Sequence, residues 1–139
     1  MIVLDTNILS ELLRPRPEAA VVAWIEALPA TSVYTTAVTQ SEILYGIALL
    51  PAGQRRRDLE KAVTAIFAED LAGRILPFDS EAAGHYAAIA AQRRAAGQPI
   101  SQFDAQIAAI TRSRGAHLAT RNVRDFVDCG IGLVDPWSS

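Results

Sequence analysis

The sequence predicts an α/β protein built on a central, mostly parallel five-stranded sheet flanked by helices. Short apolar runs rich in branched residues alternate along the chain with longer segments of helical period, the pattern of a parallel sheet with crossover helices. A length of 139 residues and a hydrophobic content of 50% suit one domain, spanning 1–139, that can bury a sizeable core without disulfide or metal staples. No repeat, linker or low-complexity segment divides the chain.

Ile2-Val3-Leu4 is the first strand, too short and too apolar for anything but burial on both faces. Thr6 to Leu13 follows as a helix and stops ahead of Pro15 and Pro17, because proline disfavours helix in the residue before it. Glu18 to Leu28 is a second helix, Ser32 to Thr35 a second strand, and Ala37 to Leu50 a third helix ending at Pro51. A long fourth helix, Ala52 to Leu71, sets Leu59, Ala62, Val63, Ile66, Phe67 and Leu71 opposite its charged residues, and Gly73 closes it. Arg74-Ile75-Leu76 is the third strand. Asp79 then caps a helix that runs to Ala96 and stops at Gly97. Beyond the Gln98-Pro99-Ile100 loop, Ser101 to Arg114 is helical and again ends in glycine. His117 to Thr120 is the fourth strand, Val123 to Val127 a short helical turn, and Gly132-Leu133-Val134 the fifth strand before Pro136 and Trp137.

Composition excludes several classes. No apolar run approaches the roughly 18 residues of a membrane helix, and Asp5 interrupts the N-terminal run before a signal-peptide core could form, so a cytoplasmic protein without membrane contact is expected. Cys129 is the only cysteine, which rules out an internal disulfide and a thiolate metal cage; it reads as an inert, small apolar residue. His85 and His117 read as ordinary core or surface groups. A net charge of −2 does not suit a protein that coats DNA by bulk electrostatics. All but one of the 13 basic residues are arginine, with groups at Arg55-Arg56-Arg57, Arg93-Arg94, and Arg112, Arg114, Arg121 and Arg124. The guanidinium fork suits phosphate, although solvated helix faces are the plainer reading of each group.

In open parallel sheets, ligands bind beyond the carboxyl ends of the strands, near the point where strand order reverses. Asp5 directly follows the first strand, and Asn122 and Asp125 follow the fourth. Glu42 lies early in the helix after the second strand, and Asp104 opens a helix after a loop. Each has a capping alternative: Asp5 can close the next helix, while Thr39-x-x-Glu42 and Ser101-x-x-Asp104 both fit a capping box. Two details point further. Glu42 shares a stripe with Val38, Tyr45, Gly46 and Leu49, among apolar neighbours, and Asp104 shares its face with Ile107 and Ala108; no lysine or histidine stands nearby in sequence. Clustered carboxylates without basic partners repel one another, and the usual remedy is a hard divalent cation with oxygen ligands. Mg²⁺ or Mn²⁺ fits; zinc and copper do not. The third helix, apolar on nearly every side, together with Trp24 and Tyr45, has two readings: core, the commoner one, or more apolar surface than one small core requires, and so a dimer surface or a partner groove.

Four segments, in order, carry a family resemblance: Ile2-Val3-Leu4-Asp5-Thr6-Asn7, Ser41-Glu42-Ile43-Leu44-Tyr45-Gly46-Ile47, Phe103-Asp104-Ala105-Gln106-Ile107, and Leu118-Ala119-Thr120-Arg121-Asn122-Val123-Arg124-Asp125-Phe126. Together with the closing Val134-Asp135-Pro136-Trp137 they resemble the PIN-domain ribonucleases, and within them the VapC-type toxins of the FitB-like branch. The resemblance implies a PIN-like fold and a metal-dependent endoribonuclease, the toxin of a toxin–antitoxin pair. It also implies a cognate VapB- or FitA-like antitoxin, a homodimer, and no direct DNA binding without the antitoxin. The metal-binding acids of the family match Asp5, Glu42 and Asp104, with Asp5 and Asp104 holding Mg²⁺ or Mn²⁺ and Glu42 helping to hold it or orienting the attacking water. The fourth acid falls where this chain has Asn122, a departure that removes one negative charge, and Asp125 can compensate from one helical turn away. Thr6, Asn7, Thr120, Arg121 and Arg124 are the expected substrate or supporting contacts.

Two other classes compete. A haloacid-dehalogenase-like phosphatase also ends an apolar strand in a catalytic Asp, but it needs a second Asp where this chain has Asn7, and a lysine for which Lys61 is badly placed. A non-catalytic interaction protein would use the acids only as caps and the apolar helix for binding.

Overall fold

The computed structural model describes residues 1–138. Strands β1 (Ile2–Leu4), β2 (Val33–Thr36), β3 (Ile75–Leu76), β4 (His117–Ala119) and β5 (Gly132–Val134) form one sheet in the order β3-β2-β1-β4-β5. Every neighbouring pair is parallel, with Val3 opposite Tyr34 on one side and Leu118 on the other. Helices α1 (Thr6–Leu12), α2 (Ala19–Glu26), α3 (Ala37–Ala48), α4 (Gln54–Ala65), α5 (Ser80–Ala95) and α6 (Gln102–Ser113) flank the sheet. None of these helices is long and apolar enough to cross a membrane.

The two-residue period of a strand explains the burial on both faces. Val3, Leu118 and Leu76 point into one apolar cluster with Ile89 of α5 and Ile107 and Ile110 of α6. Their neighbours Leu4 and Ala119 point into the other, with Ile8 and Leu9 of α1, Val21 of α2 and Val63 of α4. The reversal of strand order falls at β1, whose two neighbours β2 and β4 are both reached by crossovers. The carboxyl ends of β1 and β4 therefore lie side by side, tied together by the Asp5 amide donating to the Ala119 carbonyl at 2.9 Å.

Three local features depart from the sequence reading. The long fourth helix is not uniform: after Ala65 it widens into a π turn, Ile66–Asp70, in which the Leu71 amide reaches the Ile66 carbonyl at 2.8 Å. Phe67 and Leu71 are both buried, as expected. The third helix begins earlier than a Thr39 cap allows, because Thr36 is the cap and its hydroxyl accepts from the Thr39 amide; Thr39-x-x-Glu42 is not a capping box. Arg93 is no part of a solvated face. Only 5% exposed, it donates to the carbonyls of Gln98, Asp125 and Val127 and so fastens α5 to the turn at Val123–Phe126. Cys129 is buried beside it, and burial pushes its thiol upward, in keeping with an inert role.

Candidate active site

The carboxyl edge of the sheet carries a cleft of about 430 Å³ lined by Asp5, Thr6, Asn7, Ser10, Glu11, Arg14, Glu42, Asp104 and Asn122. Asp5, Glu42, Asp104 and Asn122, expected to converge from four separate segments, are thus brought together. Asp125 does not line the cleft, but its negative charge reaches Asp104. Arg121 and Arg124 lie outside the lining; the Arg121 guanidinium sits 5.0 Å above the Trp137 ring. Lys61 stands on α4 against a different concavity, so the lysine a phosphatase of the competing type would need is absent from this one.

Asp5 does two jobs. Its Oδ1 accepts from the Thr6 amide at 2.8 Å and closes the N-terminus of α1, so the capping expectation holds. Its Oδ2 accepts from the Thr120 hydroxyl at 2.8 Å and the Asn7 amide group at 3.3 Å. The side chain is 4% exposed. Burial, with smaller contributions from the charges of Asp104 and Glu42, pushes its pKa up to about 6, against the pull of the Thr120 and Thr6 hydrogen bonds.

Thr120 is one of the expected substrate or supporting contacts. It is fully buried, donates to Asp5, and accepts from the Asn122 amide at 3.0 Å and from Asn7 at 3.3 Å. Its task is to hold Asp5 and the start of the Asn122 turn in register. Asn7 completes the link, accepting from the Arg121 amide at 3.2 Å. On the other wall, the Thr6 hydroxyl donates to Glu42 Oε1 at 2.9 Å and lies 3.2 Å from the hydroxyl of buried Thr39. Glu42 Oε2 has no protein partner among the described residues. Asp104 sits in the first turn of α6, where Ser101 caps the helix by accepting the Asp104 amide at 3.2 Å. Burial is the largest influence on Asp104 and holds its pKa above the usual aspartate range; the Ser101 hydroxyl and the positive charge of Arg93 oppose the shift, and Asp125 adds to it.

Ser10, Glu11 and Arg14 were missed by the sequence reading. With Asn7 they recur at helical spacing, Asn7, Ser10 and Glu11 on one face of α1 and Arg14 just past its end, and that periodicity was the available signal. Glu11 is buried and held by the Glu18 amide at 3.0 Å and by Arg14 at 3.1 Å. These hydrogen bonds, the Glu18 amide first, and the charges of Arg14 and Arg121 hold its pKa below the usual glutamate range.

The donor set is chemically suited to a hard cation. It is made of oxygens, and the ion pairs among the described residues leave Asp5, Glu42 and Asp104 unpaired with any arginine or lysine. Yet no three His, Cys, Asp or Glu side chains among the described residues form a group that could hold a metal ion by themselves.

Next to the cleft runs a larger, mostly apolar groove of about 1060 Å³ between α1, α3 and α4, lined in part by Leu13, Ile43, Ile47, Leu50 and Leu59. Thr6, Ser10, Arg14 and Glu42 line both concavities. On the outer face of α3, Leu44, Tyr45 and Leu49 stand exposed, Leu49 to 67%, so only part of that apolar helix serves the core.

The PIN-domain family model matches residues 2–129. The chain belongs to the PIN-domain family. The PIN domain described here is 40% identical over 137 residues to VapC ribonuclease Y4jK of Sinorhizobium fredii, covering 99% of this chain and 98% of that protein. It is 38% identical to Toxin FitB of Neisseria gonorrhoeae, again over 99% of both chains. Among solved structures, FitAcB from Neisseria gonorrhoeae superposes with a TM-score of 0.94 at 37% identity and covers 100% of both chains. The expected fold class and the expected family are thereby confirmed.

Proposed function

We propose that this PIN domain is a metal-dependent endoribonuclease that acts as the toxin of a VapBC-type toxin–antitoxin pair, cutting RNA phosphodiester bonds by hydrolysis. The observation that carries the reading is the cleft at the β1/β4 edge, lined by Asp5, Glu42 and Asp104, none of which forms a salt bridge with a basic side chain among the described residues. Relatives named a VapC ribonuclease and a FitB toxin support it.

Asp5 and Asp104 would hold Mg²⁺ or Mn²⁺, with Glu42 and Asn122 at its edge. A divalent cation there supplies neutralisation of charge on the phosphate oxygens and a water of lowered pKa. Because no three of these acids form a group that could hold the ion by themselves among the described residues, RNA phosphate and water would have to complete its ligands. The protein's own groups do the positioning. Thr120 and Asn7 fix Asp5, Thr6 fixes one Glu42 oxygen and leaves Oε2 free to orient an attacking water, and Ser101 fixes the turn that carries Asp104. Asp125 acts on this site through its charge on Asp104, and Arg121 and Arg124 face RNA beyond the cleft. A VapB- or FitA-like antitoxin fits the apolar groove between α1, α3 and α4, and the exposed Leu44, Tyr45 and Leu49 suit a homodimer contact. Cytoplasmic RNA is the expected target pool.

The test is cleavage of a mixed RNA substrate by purified protein with EDTA, Mg²⁺ or Mn²⁺, beside the Asp5→Asn variant. Cutting that needs metal and disappears in the variant is the expected result. Absence of both cutting and Mn²⁺ binding would overturn the proposal in favour of a non-catalytic interaction module.

A further inference from the structure

An acidic cleft repels the polyanion it is proposed to cut, so the positive charge that lies inside it matters. Four carboxylates line the cleft and one cation does: Arg14. Its side chain is 64% exposed, whereas its partner Glu11 is 5% exposed. Both contacts of the pair run through a single nitrogen, Nη1, at 3.1 and 3.3 Å from the two Glu11 oxygens. Nε and Nη2 have no protein partner among the described residues and remain available to a ligand.

The pair is also built into the chain. Glu11 is held from behind by the Glu18 amide at 3.0 Å, and the hydrogen bonds and charges around it keep it ionised. Arg14 stands just past the C-cap of α1, immediately before Pro15, which keeps the helix from continuing. An arginine held on one side by a buried carboxylate loses less freedom when it binds an oxyanion on the other. The positive charge of Arg121, from the loop after β4, reaches the same Glu11. Arg14 is thus the guanidinium inside the cleft, while Arg121 adds positive charge from outside its lining.

Resting on the nuclease reading above, we propose that Arg14 is an RNA-binding residue. It takes a backbone phosphate neighbouring the one placed over the acids, and Glu11 is the positioning residue that holds it there. The chemistry recognised is a phosphodiester, so the contact contributes affinity and register but no choice of base.

The experiment compares wild type, Arg14→Gln, Arg14→Lys and Arg16→Gln, the last removing an equal charge from an exposed position outside the cleft. A fluorescein-labelled single-stranded RNA of random sequence is followed by anisotropy in EDTA across a salt series, and its cleavage by steady-state kinetics in Mn²⁺. Expected for Arg14→Gln is about tenfold weaker binding, with the loss in KM rather than kcat. The slope of log affinity against log salt should be shallower by about 0.7, one single-strand phosphate contact, with the melting temperature close to wild type. Arg14→Lys should keep the slope and recover part of the affinity, while Arg16→Gln matches wild type. If wild type binds and cleaves RNA and Arg14→Gln does the same, Arg14 belongs to a protein-facing surface and this inference alone falls. Equal losses in Arg14→Gln and Arg16→Gln would also overturn it, because general charge would then explain the effect. If wild type neither binds nor cuts RNA, the nuclease reading falls together with it.

Discussion

Asp5→Asn separates the cost of the site from the cost of the fold. The Asp5 carboxyl ionises at about 6 in the folded chain against 3.8 for a free aspartate, because the fold withdraws it from water. Between those values the folded state binds more protons than the unfolded one, so stability falls as pH rises through that window. At neutral pH, where both states are ionised, the buried charge costs the fold about 3 kcal/mol. Between about pH 4.5 and about pH 7.5 that cost grows by about 2 kcal/mol. The asparagine keeps the Oδ1 cap on the Thr6 amide and loses the acceptor that served Thr120 and Asn7, a pH-independent penalty of about 1–2 kcal/mol. Comparing the two proteins at both pH values cancels that penalty. Urea unfolding in EDTA, read from Trp24 and Trp137 fluorescence, should show the variant gaining about 2 kcal/mol on wild type from the lower pH to the higher. Adding Mn²⁺ at the higher pH should stabilise wild type and leave the variant unmoved, since a ligand stabilises only the state that binds it. An identical wild-type-minus-variant difference at both pH values would refute the account of Asp5 as a charge stranded by burial.

Three further outcomes are expected. Arg93→Ala removes the donor that three carbonyls share and should cost about 3 kcal/mol or more in urea unfolding, with the greatest rise in hydrogen exchange at residues 123–129. Gly132→Ala would set a Cβ 2.2 Å from His117 Nδ1; a loss of about 1–3 kcal/mol is expected, and a Gly132→Ala/His117→Ala double variant should recover most of it in a mutant cycle. Glu11→Gln should weaken the fold at neutral pH, where the native carboxylate is ionised with its pKa lowered. The stabilisation it loses is present above the ordinary carboxylate range and fades as pH falls through the native value, so wild-type and variant melting curves should converge in acid.

The alternation of strands and helices was legible because branched triplets such as Ile2-Val3-Leu4 have no other burial than the middle of a parallel sheet. Asp5, Glu42, Asp104 and Asn122 were legible for a related reason: each stands just past a strand or at a helix start, where side chains face the carboxyl edge. Local signals misled where a long-range contact decided. Thr39 looked like a cap because Glu42 follows it at the right interval, but Thr36 sits closer to the end of β2 and takes that role. Arg93 looked solvated beside Arg94, and only the folded chain brings the carbonyls of Gln98, Asp125 and Val127 around it. Glu11 and Arg14 went unread for the opposite reason, since an i, i+3 ion pair on a helix usually lies on a wet surface.

The acidic cleft and the apolar groove share Thr6, Ser10, Arg14 and Glu42 as a common rim. Two occupants seated one on each side of that rim would contend for the same four side chains, so the concavities behave as one divided basin. An inhibitor of this protein therefore has no need to touch the metal-binding acids. Anchored in the groove by its apolar side chains, it could displace RNA simply by leaning across the ridge.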